Sequence, residues 1–124
     1  MSPRRLLFVE DDRDLNLYYQ SALRGEGFEV TGAYTGEEAL NLLRRETFDL
    51  ILLDIYLPDY NGVEVLKKIR MELQLNQLPV CMITGYLDVE PIVEAFRNGA
   101  NAYIVKPYDL DELLFKIQEL LQLE

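Results

Sequence analysis

Leu50-Ile51-Leu52-Leu53-Asp54-Ile55-Tyr56-Leu57-Pro58-Asp59-Tyr60-Asn61-Gly62, LILLDIYLPDYNG in one-letter code, decides the fold. Its first four residues are a continuous apolar run bounded by turn residues, the pattern of a strand buried on both faces. Asp54 closes that run. The pattern then breaks, because Pro58 lacks an amide donor and Gly62 permits unusual backbone angles. Asp54 is therefore placed where a central strand leaves the sheet and becomes a loop. In an open parallel α/β sheet, ligands bind at the carboxyl ends of the strands, so a lone Asp there is a functional candidate. The plainer alternative is an Asp that only caps its own loop.

The same punctuation recurs on both sides of this stretch. Upstream, Arg5–Glu10 reads as a strand with Leu6-Leu7-Phe8-Val9 buried, ending in the acids Glu10, Asp11 and Asp12. Asp14–Arg24 reads as a helix with Leu15, Tyr18 and Ala22, and Tyr19 beside them, on the inner face; Gly25 and Gly27 stop it. Phe28–Ala33 is a second strand. Thr35-Gly36-Glu37-Glu38 is a capping box that opens a helix running to about Glu46, with Ala39, Leu40 and Leu43 inward.

Downstream, Asn61-Gly62-Val63-Glu64 opens a helix whose inner stripe is Val65, Leu66, Ile69 and Leu73. Val80–Ile83 is the fourth strand and ends at Thr84-Gly85. Asp88 caps a helix with Ile92, Ala95 and Phe96 inward, closed by Asn98-Gly99. Ala102–Val105 is the fifth strand, ending at Lys106-Pro107. Asp109 caps the last helix, with Glu112 completing a box and Leu110, Leu113, Leu114, Ile117 and Leu121 inward. Five strands thus alternate with helices. Each crossover is long enough to hold a helix, so the sheet is expected to be parallel, covered on both faces and wound with right-handed connections.

The totals narrow the chemistry. With 124 residues the chain makes one domain with a real core. No apolar run is long enough to span a bilayer, and the acids after MSPRRLLFV argue against a signal peptide. A net charge of -10 repels phosphate backbones and anionic membranes, so direct nucleic-acid or membrane binding is not expected. Cys81, the one cysteine, cannot form an internal disulfide and lies in the apolar run Val80–Ile83, which fits a buried thiol in a reducing compartment. The absence of histidine removes the usual Ser-His-Asp and Cys-His catalysis and makes a structural zinc site implausible.

Polar groups close four of the apolar runs: Glu10 with Asp11, Asp54, Thr84 and Lys106. In a parallel sheet these ends share one edge. Carboxylates gathered there repel one another, and a hard divalent cation held by oxygen ligands relieves them. A lysine and a hydroxyl facing the same spot suit phosphate oxygens. The chemistry this points to is phosphoryl transfer to or from a carboxylate, with Asp54 as nucleophile and Lys106 and a metal offsetting charge.

Four stretches carry a family resemblance: VEDD at Val9–Asp12, LLDIYLPDYNG at Leu52–Gly62, ITG at Ile83–Gly85 and AYIVKPY at Ala102–Tyr108. Together, in this order and at this spacing, they resemble the receiver domain of two-component response regulators, of the chemotaxis-regulator type, over essentially the whole chain. The resemblance implies a doubly wound, flavodoxin-like α/β sheet of order 2-1-3-4-5. It implies that Asp54 accepts a phosphoryl group from a phosphohistidine on a histidine kinase or histidine phosphotransfer protein. Mg2+ would be held directly by Asp11 and Asp54, by Glu10 through water, and by the backbone carbonyl of Tyr56. Lys106 would pair with the phosphoryl group and Thr84 would hydrogen-bond to it. Lys106-Pro107 is expected to be a cis peptide. Thr84 would then move, Tyr103 would turn inward, and the face made by the fourth helix, fifth strand and fifth helix would be repacked for a downstream effector.

The implied protein is a cytoplasmic phosphoacceptor switch, one receiver domain over residues 1–124, that catalyses nothing beyond its own phosphorylation and dephosphorylation. Met1 and the short polar start read as a native N-terminus; a stand-alone regulator, the receiver of a hybrid kinase and a segment of a longer regulator all fit. Tyr56 and Tyr86, each two residues after a site residue, depart from the small or acidic groups of the family and are expected to slow the access of attacking water. Gly85 stands where the family more often has Ala. Two alternatives compete with this reading. A Mg2+-dependent aspartyl phosphatase resembling haloacid dehalogenases would need an Asp two residues after its nucleophile, where this chain has Tyr56, and a cap insertion that is missing. A receiver-like interaction module that is never phosphorylated would have no need of the intact acid, Asp, Thr and Lys set.

Overall fold

Neighbouring residues of a strand point to opposite sides of the sheet, and here both sides are apolar. The computed structural model describes residues 2–85 and 89–122. It places β1 (Arg5–Val9), β2 (Glu29–Ala33), β3 (Leu50–Asp54), β4 (Val80–Thr84) and β5 (Ala102–Val105) in one parallel sheet of order β2-β1-β3-β4-β5. The intervening helices are α1 (Arg13–Gly25), α2 (Gly36–Arg45), α3 (Gly62–Met71), α4 (Val89–Arg97) and α5 (Leu110–Leu121). This is the expected doubly wound flavodoxin-like fold.

Strand order explains the layers. The step from β1 to β2 runs one way along the sheet and all later steps run the other. Crossovers of one hand must then put α1 on one face and α2, α3 and α4 on the opposite face. The two cores agree. Leu6, Phe8, Leu50, Leu52, Cys81 and Ile83 pack with Tyr19 and Leu23 of α1 and with Leu113, Ile117 and Leu121 of α5. Leu7, Val9, Ile51, Leu53, Val80 and Met82 pack with the inner faces of α2, α3 and α4. Each Leu or Ile fully buried in this way contributes about 1.5–3 kcal/mol, enough for β3 to offset a carboxylate at its buried end.

Side-chain caps fix the helix starts. Asp12 accepts from the amide of Leu15 at 3.1 Å, Thr35 from Glu38 at 3.0 Å and Asp109 from Glu112 at 2.8 Å. Asp12 is thus the N-cap of α1. The cap expected at Asp88 lies outside the described residues.

Three expectations need correction. The inner row of α1 is Asn16, Tyr19, Gln20 and Leu23, while Tyr18 is exposed and Ala22 only half-buried. Reading apolar residues alone rotated the face by about one residue, because two of its members are polar. Phe96 is exposed and meets the Tyr103 ring edge-on, with centroids 6.2 Å apart. Leu73 packs against the core, but from the turn beyond the end of α3. In addition, Gly25 lies inside α1, and it is Gly27, at φ 98°, that turns the chain.

Candidate functional site

The chain reverses its direction of travel along the sheet between β1 and β3. A crevice is expected at that point, beyond the carboxyl ends of the two strands. Glu10 and Asp11 follow β1, and Asp54 ends β3. Carboxylate oxygens of these three residues lie within 4.8 Å of one another. Glu10 is 1% exposed and Asp54 2% exposed, while Asp11 stands open to solvent.

Lys106, just past β5, reaches across the ends of the intervening strands. Its Nζ donates to Asp54 Oδ2 at 2.6 Å and to Glu10 Oε1 at 2.8 Å. The Lys106–Pro107 peptide is cis, as the resemblance implied. The other Asp54 oxygen, Oδ1, accepts from the amide of Tyr56 at 2.9 Å. Both oxygens are therefore oriented, one by a cation and one by the chain's own backbone.

The loop after Asp54 is held against the strand. The Gly62 amide donates to the Ile55 carbonyl at 2.6 Å, and Tyr56 pairs with Asn61 in a short antiparallel bridge. A Cβ at position 62 would stand 2.3 Å from the Asp54 carbonyl oxygen and 2.8 Å from Ile55 Cα. Only glycine allows the start of α3 to come so close to the end of β3. Asp59 fastens the loop on its other side, accepting from the amides of Gly36 and Glu37 at 2.8 and 2.9 Å. Burial raises the Asp59 pKa, but these amides and that of Tyr60 outweigh it, and the net shift is downward.

The electrostatics follow from crowding. Burial pushes the Glu10 carboxyl's pKa up, Asp54 pushes the same way, and Lys106 pulls it back only in part. Partial burial and the neighbouring Glu10 raise that of Asp11. Burial would lower the Lys106 pKa, but its bonds to Asp54 and Glu10 outweigh it and the ammonium is held more firmly charged. Glu10 Oε2 is buried and has no hydrogen-bond partner among the described residues. An orphaned carboxylate oxygen beside two further carboxylates is the donor chemistry of a hard divalent cation that keeps some of its water. The residues present thus fit Mg2+.

The remaining predicted residues are placed as follows. Thr84, 2% exposed, ends β4 between the strand of Asp54 and that of Lys106, and its hydroxyl lies 3.3 Å from the Gly85 carbonyl. Tyr56 is 55% exposed at the rim. Tyr103, on β5, is 44% exposed and turned toward Phe96 of α4. Tyr86 lies outside the described residues. Cys81 is fully buried, and burial pushes its thiol up to about 12, as suits a core residue.

Sequence reasoning missed two groups near the site. Asn16, fully buried, donates to the Glu10 carbonyl, and Asp59 holds the loop; Asn16 had a signal, the i, i+3, i+4, i+7 row Asn16-Tyr19-Gln20-Leu23, whereas the partners of Asp59 are distant in sequence.

Comparisons with known proteins match this geometry. A family model described as the response regulator receiver domain matches residues 6–118. The regulatory protein AtoC of Escherichia coli K12 is 38% identical over 120 residues, 97% of this chain and 26% of AtoC. The response regulator ArlR of Staphylococcus saprophyticus is 37% identical over 118 residues, 95% of this chain and 52% of that protein. The chain thus spans about a quarter to a half of the length of these curated relatives. The crystal structure of a response regulator receiver domain protein, described as CheY-like, from Methanospirillum hungatei JF-1 is 40% identical with a TM-score of 0.91, covering 98% of this chain and 95% of that one. By sequence over nearly its full length and by fold, this chain belongs to the response regulator receiver domain family of two-component signalling.

Proposed function

We propose that Asp54 is a phosphoacceptor that takes a phosphoryl group from a phosphohistidine on a histidine kinase or histidine phosphotransfer protein. One observation carries this reading: three carboxylates lie within 4.8 Å of one another at the reversal point of the sheet, and one ammonium bridges two of them. Receiver domains as a family are signalling domains with an acidic Mg2+ pocket; they act between histidine kinases and effectors.

A carboxylate oxygen of Asp54 attacks phosphorus, the P–N bond breaks, and its electron pair stays on the donor imidazole. The product is an acyl phosphate. Asp11, Asp54 and the Tyr56 carbonyl would hold Mg2+, with Glu10 acting through water. When bound, the ion neutralises charge on the transferring group. Lys106 exchanges its bond to Asp54 Oδ2 for one to a phosphoryl oxygen. Thr84 hydrogen-bonds to another, and Tyr103 leaves its place against Phe96 and turns inward. The altered face of α4, β5 and α5 is what an effector reads. Tyr56 at the rim, and Tyr86, slow attack by water. The domain spans residues 1–124 and acts in the cytoplasm.

Intact-mass spectrometry after incubation with acetyl phosphate, with and without Mg2+, tests the chemistry. The expected result is one Mg2+-dependent phosphoryl adduct that Asp54→Ala lacks. If beryllofluoride with Mg2+ also leaves the NMR signals of Thr84 and Tyr103 unmoved, the protein is an interaction module that is not phosphorylated. Dephosphorylation of Tyr56→Asn no faster than that of the parent would remove the shielding role.

A further inference from the structure

The carboxylates of Glu10 and Asp11 hang from the backbone at the end of β1. That backbone is held from α1. Asn16, 0% exposed, points its Nδ2 at three carbonyl oxygens: Glu10 at 2.8 Å, Ala33 at 3.0 Å and Phe8 at 3.3 Å. Two N–H bonds serve three acceptors, so the longest contact shares a hydrogen. Three acceptors around one atom also settle which end of the amide is nitrogen. The Ala33 carbonyl accepts from the Glu10 amide as well, at 3.0 Å, so one side chain ties the last residues of β1 and β2 into a single unit.

The amide is itself held. Gln20 Nε2 donates to Asn16 Oδ1 at 2.8 Å, and Arg24 donates to Gln20 Oε1 at 3.0 Å and to the Val30 carbonyl at 2.8 Å. This polar row along α1 needs space that β2 leaves at one position. A Cβ on Gly32 would stand 2.1 Å from Gln20 Nε2 and 2.7 Å from Asn16 Oδ1. Asn16, Gln20 and Gly32 are thus fitted to one another.

We propose that Asn16 is a positioning residue for the metal centre, setting the backbone of Glu10 so that its carboxylate and that of Asp11 meet Asp54. The proposal rests on the reading of the acids as a Mg2+ site. Asn16 would touch neither ion nor phosphoryl group. Its effect passes through the Glu10 carbonyl, which places it at the weak end of the range for groups that orient ligands.

The test is an NMR titration of the 15N-labelled protein with MgCl2 alone, following the amides of Asp11 and Asp54, in the parent and three variants. Asn16→Leu removes the donors at similar volume and is expected to weaken Mg2+ binding about tenfold. Gln20→Leu removes only the bond that orients Asn16 and is expected to weaken it about threefold; this variant decides the matter if Asn16→Leu does not fold. Leu23→Ala, on the same helix but in the apolar core, is expected to lower stability while holding the dissociation constant within about twofold. Equal weakening in Leu23→Ala would make the effect general loosening and overturn the proposal. So would folded Asn16→Leu or Gln20→Leu with parental affinity. A parent that binds no Mg2+ would instead overturn the metal-site reading, and this proposal with it.

Discussion

The carboxyl ends of β1 and β3 and the outer face of α4 and β5 are built on opposite plans. At the strand ends, Glu10 and Asp54 are almost fully buried, and a lysine, a backbone amide and a glycine-tight loop fix the Asp54 carboxylate. On the outer face, Tyr103 and Phe96 are each more than two-fifths exposed and lean on one another. A buried charge tolerates little movement, because its solvation has been replaced by a few groups in set directions. An exposed aromatic pair has little to lose by moving. The contrast is that of a site held in place and a surface with freedom to rearrange, the two parts that the proposed switch would use.

Four experiments sharpen or break this contrast. The largest effect is expected from Gly62→Ala, whose new methyl group meets the Asp54 carbonyl; about 3 kcal/mol of stability should be lost in urea unfolding. A loss near zero would mean the loop is not held against the strand. Lys106→Met should cost about 2 kcal/mol, less than for a fully buried partner because the lysine side chain is 34% exposed. Added Mg2+ should restore more stability to this variant than to the parent, since it replaces the missing cation.

Glu10→Gln should give a smaller change of opposite sign. The pKa of Glu10 is raised above its ordinary 4.5 in the folded protein, so folding is favoured by its proton. Its contribution is fully present below 4.5 and is lost as pH rises through the raised value. Without Mg2+, the variant should therefore be more stable than the parent at pH 7, and the gap should close on acidification toward 4.5. A gap that widens instead would show Lys106 to outweigh the crowding. Tyr103→Ala should do least, about 1 kcal/mol or under, the worth of an edge-on aromatic pair at the surface. A loss of several kcal/mol would show the outer face to be held no less firmly than the site.

Much of this was legible in the chain. Apolar runs ended by Glu10, Asp54, Thr84 and Lys106 placed those residues at one edge, because a parallel strand buried on both faces leaves a plain apolar signal and its end is marked by the first polar group. Sheet order and cis Lys106–Pro107 came from the family resemblance, since pattern alone orders no strands. The caps at Thr35 and Asp109 were legible because their partners lie three residues away. Reading by hydropathy erred at α1, where Asn16 and Gln20 occupy the inner row in place of Tyr18, and at Phe96 of α4, which is exposed.

The sequence by itself determined the α/β alternation, the burial of the central strands and the gathering of acids and lysine at one edge. These are local properties: period, run length and the residue that ends a run. Only the tertiary structure decided that Lys106 spans Glu10 and Asp54, that Asp59 fastens the loop to α2, and that Asn16 faces inward. Each depends on partners up to 96 residues apart, or on a polar side chain whose burial makes sense only once its acceptors are in place.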